Sequence, residues 1–86
     1  MSKNKAKKPK VIFERQGSHV LLDDGAGGLL LEIAVGTISQ YMVRMVLTPE
    51  EAGQYKVEGE GFIDKLAGQV VYDEPKFRKA GRTVPF

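Results

Sequence analysis

Two neighbouring stretches in the middle of the chain alternate side chains with a period of two, the signature of β-strands. In Leu29–Val35, Leu29, Leu31, Ile33 and Val35 fall on one face, and Leu30, Glu32 and Ala34 on the other. In Ser39–Leu47, Tyr41, Val43, Met45 and Leu47 share one face, and Met42, Arg44 and Val46 the other. Both faces therefore carry apolar groups, while only one later segment has the length and period of a helix. One helix covers one face of a sheet. A fold built on these strands must find another cover for the second face or expose it.

The remaining elements follow from local chemistry. Lys10–Gln16 has strand composition, Gly17-Ser18 supplies a turn, and His19–Asp23 returns as a second strand. Asp24-Gly25-Ala26-Gly27-Gly28 offers several positions that tolerate positive φ and leads into Leu29. Short links favour antiparallel pairing of sequential strands, so the first half reads as a four-stranded meander. The period changes at Thr48-Pro49-Glu50-Glu51. Thr48 suits the N-cap, Pro49 stands where a missing N–H costs nothing, and the two glutamates meet the positive end of the helix dipole. The helix is expected to run to about Val70, with Ala52, Tyr55, Gly59, Phe62, Ile63, Leu66 and Val70 on one stripe. Gly53, Gly59, Gly61 and Gly68 weaken it by roughly 1 kcal/mol each relative to alanine, and a break near Gly59–Gly61 is the competing reading. The expected class is α+β: a four-stranded antiparallel β-meander with one C-terminal α-helix on one face.

Charge is segregated along the chain. Residues 1–10 hold Lys3, Lys5, Lys7, Lys8 and Lys10 and no acid. Residues 76–86 hold Lys76, Arg78, Lys79 and Arg82, again with no acid. Between them, Arg15, Arg44, Lys56 and Lys65 stand against 11 carboxylates, a balance of −7 within a chain whose total is +2. The expected organisation is a disordered basic arm at 1–9, one folded domain at 10–75, and a flexible basic tail at 76–86. A folded part of this size has a marginal core. With no cysteine and a single histidine, disulfides are excluded and structural zinc is disfavoured, leaving packing or oligomerisation as reinforcement. No run approaches the roughly 20 apolar residues of a membrane helix, and the start of the chain has neither a signal-peptide core nor the Arg- and Ser-rich pattern of a transit peptide. A cytoplasmic location and no membrane contact are the expectation.

Candidate sites are few. His19 is the one side chain that titrates near neutrality in its ordinary state. Ser18 precedes it, but strand neighbours point to opposite faces, which argues against a nucleophile–base couple. Asp23 and Asp24 with His19 would make a sparse metal set and are better explained as turn formers. Gly25-Ala26-Gly27-Gly28 lacks the following helix and Lys-Ser/Thr pair of a phosphate loop, so it reads as a hairpin turn. Glu58, Glu60 and Asp64 read as a solvated helix face, with Lys56 and Glu60 at ion-pair spacing. No catalytic set, metal or cofactor is expected.

Two functional expectations follow. The first is a small non-enzymatic interaction protein that acts as a regulator, inhibitor or assembly factor. It would bind through the acidic helix face or through a sheet face made of Leu30, Ala34, Met42, Arg44 and Val46, with Ile12 from the first strand. That face would engage a protein partner or close a homodimer, unless residues 71–86 cover it. The second is a nucleic-acid accessory protein whose basic arms contact phosphates, with Phe77 stacking on a base.

Overall fold

The computed structural model describes residues 9–36 and 39–86. Four strands follow one another as read from the sequence: β1 (Lys10–Arg15), β2 (His19–Asp23), β3 (Leu29–Val35) and β4 (Tyr41–Val46). Two helices succeed them, α1 (Pro49–Glu58) and α2 (Glu60–Lys79), and a short strand, β5 (Thr83–Pro85), closes the order. The result is a five-stranded antiparallel sheet in the order β1-β2-β3-β4-β5, with the helices on one face. The α+β class holds, with a fifth strand and a second helix beyond the expected four and one.

The core forms where the alternation places it. Leu21, Leu31, Ile33, Val35, Val43, Met45 and Leu47 are buried on one face of the sheet. Against them pack Ile63, Leu66, Ala67 and Val70 from α2. A fully buried aliphatic side chain contributes roughly 1.5–3 kcal/mol, so this stripe outweighs the glycine cost in α2. By contrast, α1 has no fully buried residue and relies on its ends. Its capping box is complete: the Glu51 N–H donates to Thr48 Oγ1 at 3.2 Å, and the Thr48 N–H donates to Glu51 Oε1 at 2.8 Å.

The helix breaks at Gly59, as the competing reading had it. Gly59 has φ 81° and ψ −157°, a region open to glycine alone, and it serves both as C-cap of α1 and as N-cap of α2. The expected Lys56–Glu60 pair is lost with the continuous helix, since the two residues now belong to different helices. Glu60 pairs with Arg15 instead.

The second helix also runs past its expected end. It passes through Pro75 with a kink marked by Asp73 at φ −123°, ψ 30°, and continues to Lys79. Residues 76–86 are thus ordered body, not a flexible tail. A buried carboxylate explains this. Glu74, only 5% exposed, accepts hydrogen bonds from Arg78 in its own helix, from the Tyr41 hydroxyl on β4 at 3.0 Å, and from the Thr83 hydroxyl on β5 at 3.1 Å. Arg82, just before β5, donates to Glu51 Oε1 at 2.7 Å and so ties the returning chain to the N-terminus of α1.

Two expectations about stability follow. An added Cβ meets open space at both Gly59 and Gly61, but only Gly59 has a backbone that L-residues avoid. Gly61→Ala should stabilise by up to about 1 kcal/mol, and Gly59→Ala should destabilise by about 1–3 kcal/mol, in denaturant titrations. At Glu74, burial alone would raise the pKa. The hydrogen bonds from Arg78, Tyr41 and Thr83, with the Arg78 charge, outweigh it and hold the carboxyl below its ordinary value. The stability this confers is complete above the unfolded pKa of about 4.3 and is lost as pH falls through the lower folded value. Glu74→Gln should cost about 1–3 kcal/mol at pH 7 and flatten the loss of stability below about pH 4. An unchanged acid profile would rule this out.

Candidate functional site

The second face of the sheet is the candidate site, because no described element packs over it. The expected cover at 71–86 goes elsewhere: residues 71–79 extend α2 on the opposite face, and β5 adds to the edge of β4. Strand register arranges the open face in rows. Val11, Leu22, Leu30 and Val46 stand side by side across β1, β2, β3 and β4. The next row holds Glu14, Val20, Glu32, Arg44 and Val84. Ala34 and Met42 form a third across β3 and β4. Exposure is high at the margins, with Val11 at 59%, Val46 at 60% and Val84 at 61%, while Leu30, Ala34 and Met42 are half-buried by their neighbours.

All five expected interface residues, Leu30, Ala34, Met42, Arg44 and Val46, lie on this face. Ile12 does not take the place expected of it. The register between β1 and β2 shifts between Val11 and Phe13, so Val11 stands opposite Leu22 and Ile12 is the bulged residue. Val20, Leu22 and Val84 were not anticipated on the face. For the first two the signal was present, because they alternate with Leu21 in His19–Asp23.

At the centre of the face Arg44 reaches across to Glu32. Its Nε and Nη2 both donate to Glu32 Oε2, at 3.1 and 2.8 Å. Phe86 lies beside the pair: its N–H donates to Met42 O, and its ring centroid is 4.5 Å from the Arg44 guanidinium carbon. A cation over an aromatic face is attracted by the ring quadrupole, so Phe86 helps to keep Arg44 along the sheet.

The other polar cluster lies at the β1–β2 turn, and it corrects the reading of Ser18 and His19. Ser18 is in the turn and not in the strand, so its side chain need not oppose that of His19. Ser18 Oγ lies 2.7 Å from His19 Nδ1, and His19 Nε2 lies 2.8 Å from Asp64 Oδ1. The Arg15 guanidinium meets both Asp64 oxygens and Glu60 Oε1 at 3.0–3.1 Å. Hydrogen bonds from Arg15, and then from His19, hold the Asp64 carboxyl below the usual carboxylate range. An ionised Asp64 only accepts, so His19 Nε2 donates to it, and in the neutral ring Nδ1 accepts from the Ser18 hydroxyl. The imidazole is buried with Phe13 edge-on at 6.4 Å, and the cluster pins α2 to the β1–β2 hairpin. Glu60 and Asp64, expected on a solvated helix face, are thereby engaged with Arg15.

The other sequence candidates are placed as follows. Asp23 Oδ1 accepts the Gly25 N–H, and Asp24 Oδ1 accepts those of Ala26 and Gly28, so both aspartates shape the hairpin turn. Backbone hydrogen bonds from Ala26 and Gly28 also lower the Asp24 pKa. Among the described residues, no group of three metal-ligating side chains comes together, and no helix is long and apolar enough to cross a membrane. The described basic residues of the two ends differ in their surroundings. Arg78 and Arg82 are paired with Glu74 and Glu51, whereas Lys76 and Lys79 are exposed and Lys10 begins β1. Phe77 packs against the core, which commits the ring expected to stack on a base. Lys3, Lys5, Lys7 and Lys8 lie outside the described residues. No family model, curated protein or solved structure matches the chain.

Proposed function

We propose that this is a small non-enzymatic interaction protein, a regulator, inhibitor or assembly factor, that docks a protein on the open face of its sheet. One observation carries the reading: eight apolar side chains in three adjacent rows, interrupted by Glu14, Glu32 and Arg44, span a sheet whose other face is already packed. Contiguous apolar surface of this kind is the recurrent mark of a protein contact, and desolvating it is the main favourable term in association. The sheet face is preferred to the helix face because Arg15 already engages Glu60 and Asp64. It is preferred to nucleic-acid binding because Arg78, Arg82 and Phe77 are committed within the fold. A homodimer is one form of the same reading. The absence of cysteine suits a reducing compartment, and the cytoplasm is the proposed setting.

Affinity capture from the native host with three baits tests this. Val46→Glu places a charge on the open face, and Val57→Glu places one on α1 at a side chain that is 86% exposed. Proteins retained by the wild type should be lost with Val46→Glu, by about tenfold or more, and kept with Val57→Glu. Equal retention by the wild type and Val46→Glu would reject the open face as the docking surface.

A further inference from the structure

We propose that the occupant of the open face is a second copy of this chain, joined face to face so that Glu32 and Arg44 of each copy meet Arg44 and Glu32 of the other. The inference rests on the docking-face reading and names its partner. Its basis is the content of the rows across β3 and β4. Leu30 stands beside Val46, Glu32 beside Arg44, and Ala34 beside Met42. Two of these rows set unlike sizes side by side, and the middle row sets opposite charges.

A twofold axis parallel to the strands, midway between β3 and β4 and between the two sheets, lays β3 of one copy over β4 of the other. Each residue then faces the partner of its own row: Ala34 faces Met42 of the second copy, Leu30 faces Val46, and Glu32 faces Arg44. Small meets large at Ala34 and Met42, acid meets base at Glu32 and Arg44, and aliphatic meets aliphatic at Leu30 and Val46, which is the self-complementarity an isologous contact requires. The same operation lays β2 over β5, so Val20 faces Val84. The helices lie on the outside of such a pair, which keeps their carboxylates away from the contact.

The polar centre discriminates between occupants. Arg44 uses Nε and Nη2, and both go to a single oxygen of Glu32. Among the described residues, Arg44 Nη1 and Glu32 Oε1 have no hydrogen-bond partner. A purely apolar surface would strip water from this pair and leave one donor and one acceptor unsatisfied, which is costly. A second copy brings an acceptor to the donor and a donor to the acceptor.

Charge reversal with measurement of solution mass decides the matter. The wild type is expected to sediment as a dimer. Arg44→Glu alone and Glu32→Arg alone each set like charges across the axis and should weaken the dimer by at least about a hundredfold. Mixed together, the two variants should form a heterodimer, because every cross-axis contact is then opposite in sign. The double variant Glu32→Arg/Arg44→Glu restores the pair within the chain. It should dimerise with itself but not exchange with the wild type, and this arm decides if either single variant fails to fold. A wild type that stays monomeric at millimolar concentration overturns the second-copy proposal. A dimer indifferent to all the reversals, or a double variant that exchanges freely with the wild type, overturns it equally. In any of these cases, loss of captured proteins by Val46→Glu would still uphold the docking face.

Discussion

The course of the C-terminal third depends on Glu74. A carboxylate in the last turns of α2 would ordinarily face water, yet this one is buried and satisfied by three groups from three elements. Arg78 fixes the final turn of the helix beyond Pro75, Tyr41 fixes that turn to β4, and Thr83 draws the returning chain onto the edge of β4. Removing any one of these donors leaves part of a buried charge unsatisfied, so the three contacts stand or fall together. The consequence reaches the opposite side of the molecule. A C-terminal chain held along the edge of β4 reaches the second face only at Val84 and Phe86 and does not cross it. The open face is thus a product of how α2 ends.

The strands were legible because their information is local. Alternation in Leu29–Val35 and Tyr41–Val46 assigns every side chain to a face without knowledge of any partner, and the turn at 24–28 announces itself in aspartate and glycine. The start of α1 was legible for the same reason, since Thr48, Pro49 and Glu51 act on each other within one turn. What failed required knowledge of distant residues. Treating Pro75 as beyond the helix was sound on local grounds, and Glu74, Tyr41 and Thr83 override it from 9 and 33 residues away. Only the i,i+4 spacing of Glu74 and Arg78 hinted at it. Ile12 failed differently. A single bulge shifts the parity of β1, and nothing in Lys10–Arg15 fixes which residue bulges. Ser18 and His19 were misjudged because a strand rule was applied to a residue in a turn.

The charge segregation has a structural use that a count along the sequence does not show. The cations of the last segment complete the acidic one: Arg78 answers Glu74, and Arg82 answers Glu51 at the head of α1. Arg15 does the same from β1 for Glu60 and Asp64. Arg15 and Arg82 pair with acids 31 to 49 residues away and so tie the helices to β1 and to the returning chain, while Arg78 braces Glu74 within α2. Most of these pairs are partly exposed, and singly each contributes little. Their effect is to set where the segments go.

Once those pairs form, the helix side and the open side of the sheet differ in kind. The helix side holds Glu51, Glu60, Asp64 and Glu74 in ion pairs with Arg82, Arg15 and Arg78, and buries Ile63, Leu66, Ala67 and Val70 in a closed core, leaving Val57, Val71 and Tyr72 exposed. The open side keeps one ion pair, Glu32 with Arg44, among rows of aliphatic side chains. A solvated face has no need of so much hydrocarbon, and a purely apolar contact has no use for a charge pair at its centre. A surface that carries both, with donor and acceptor on adjacent strands, is suited to a partner that presents the same two groups in reverse order. The fold makes such a surface out of the chain itself, and this is the physical reason a second copy fits the open face better than a featureless apolar protein would.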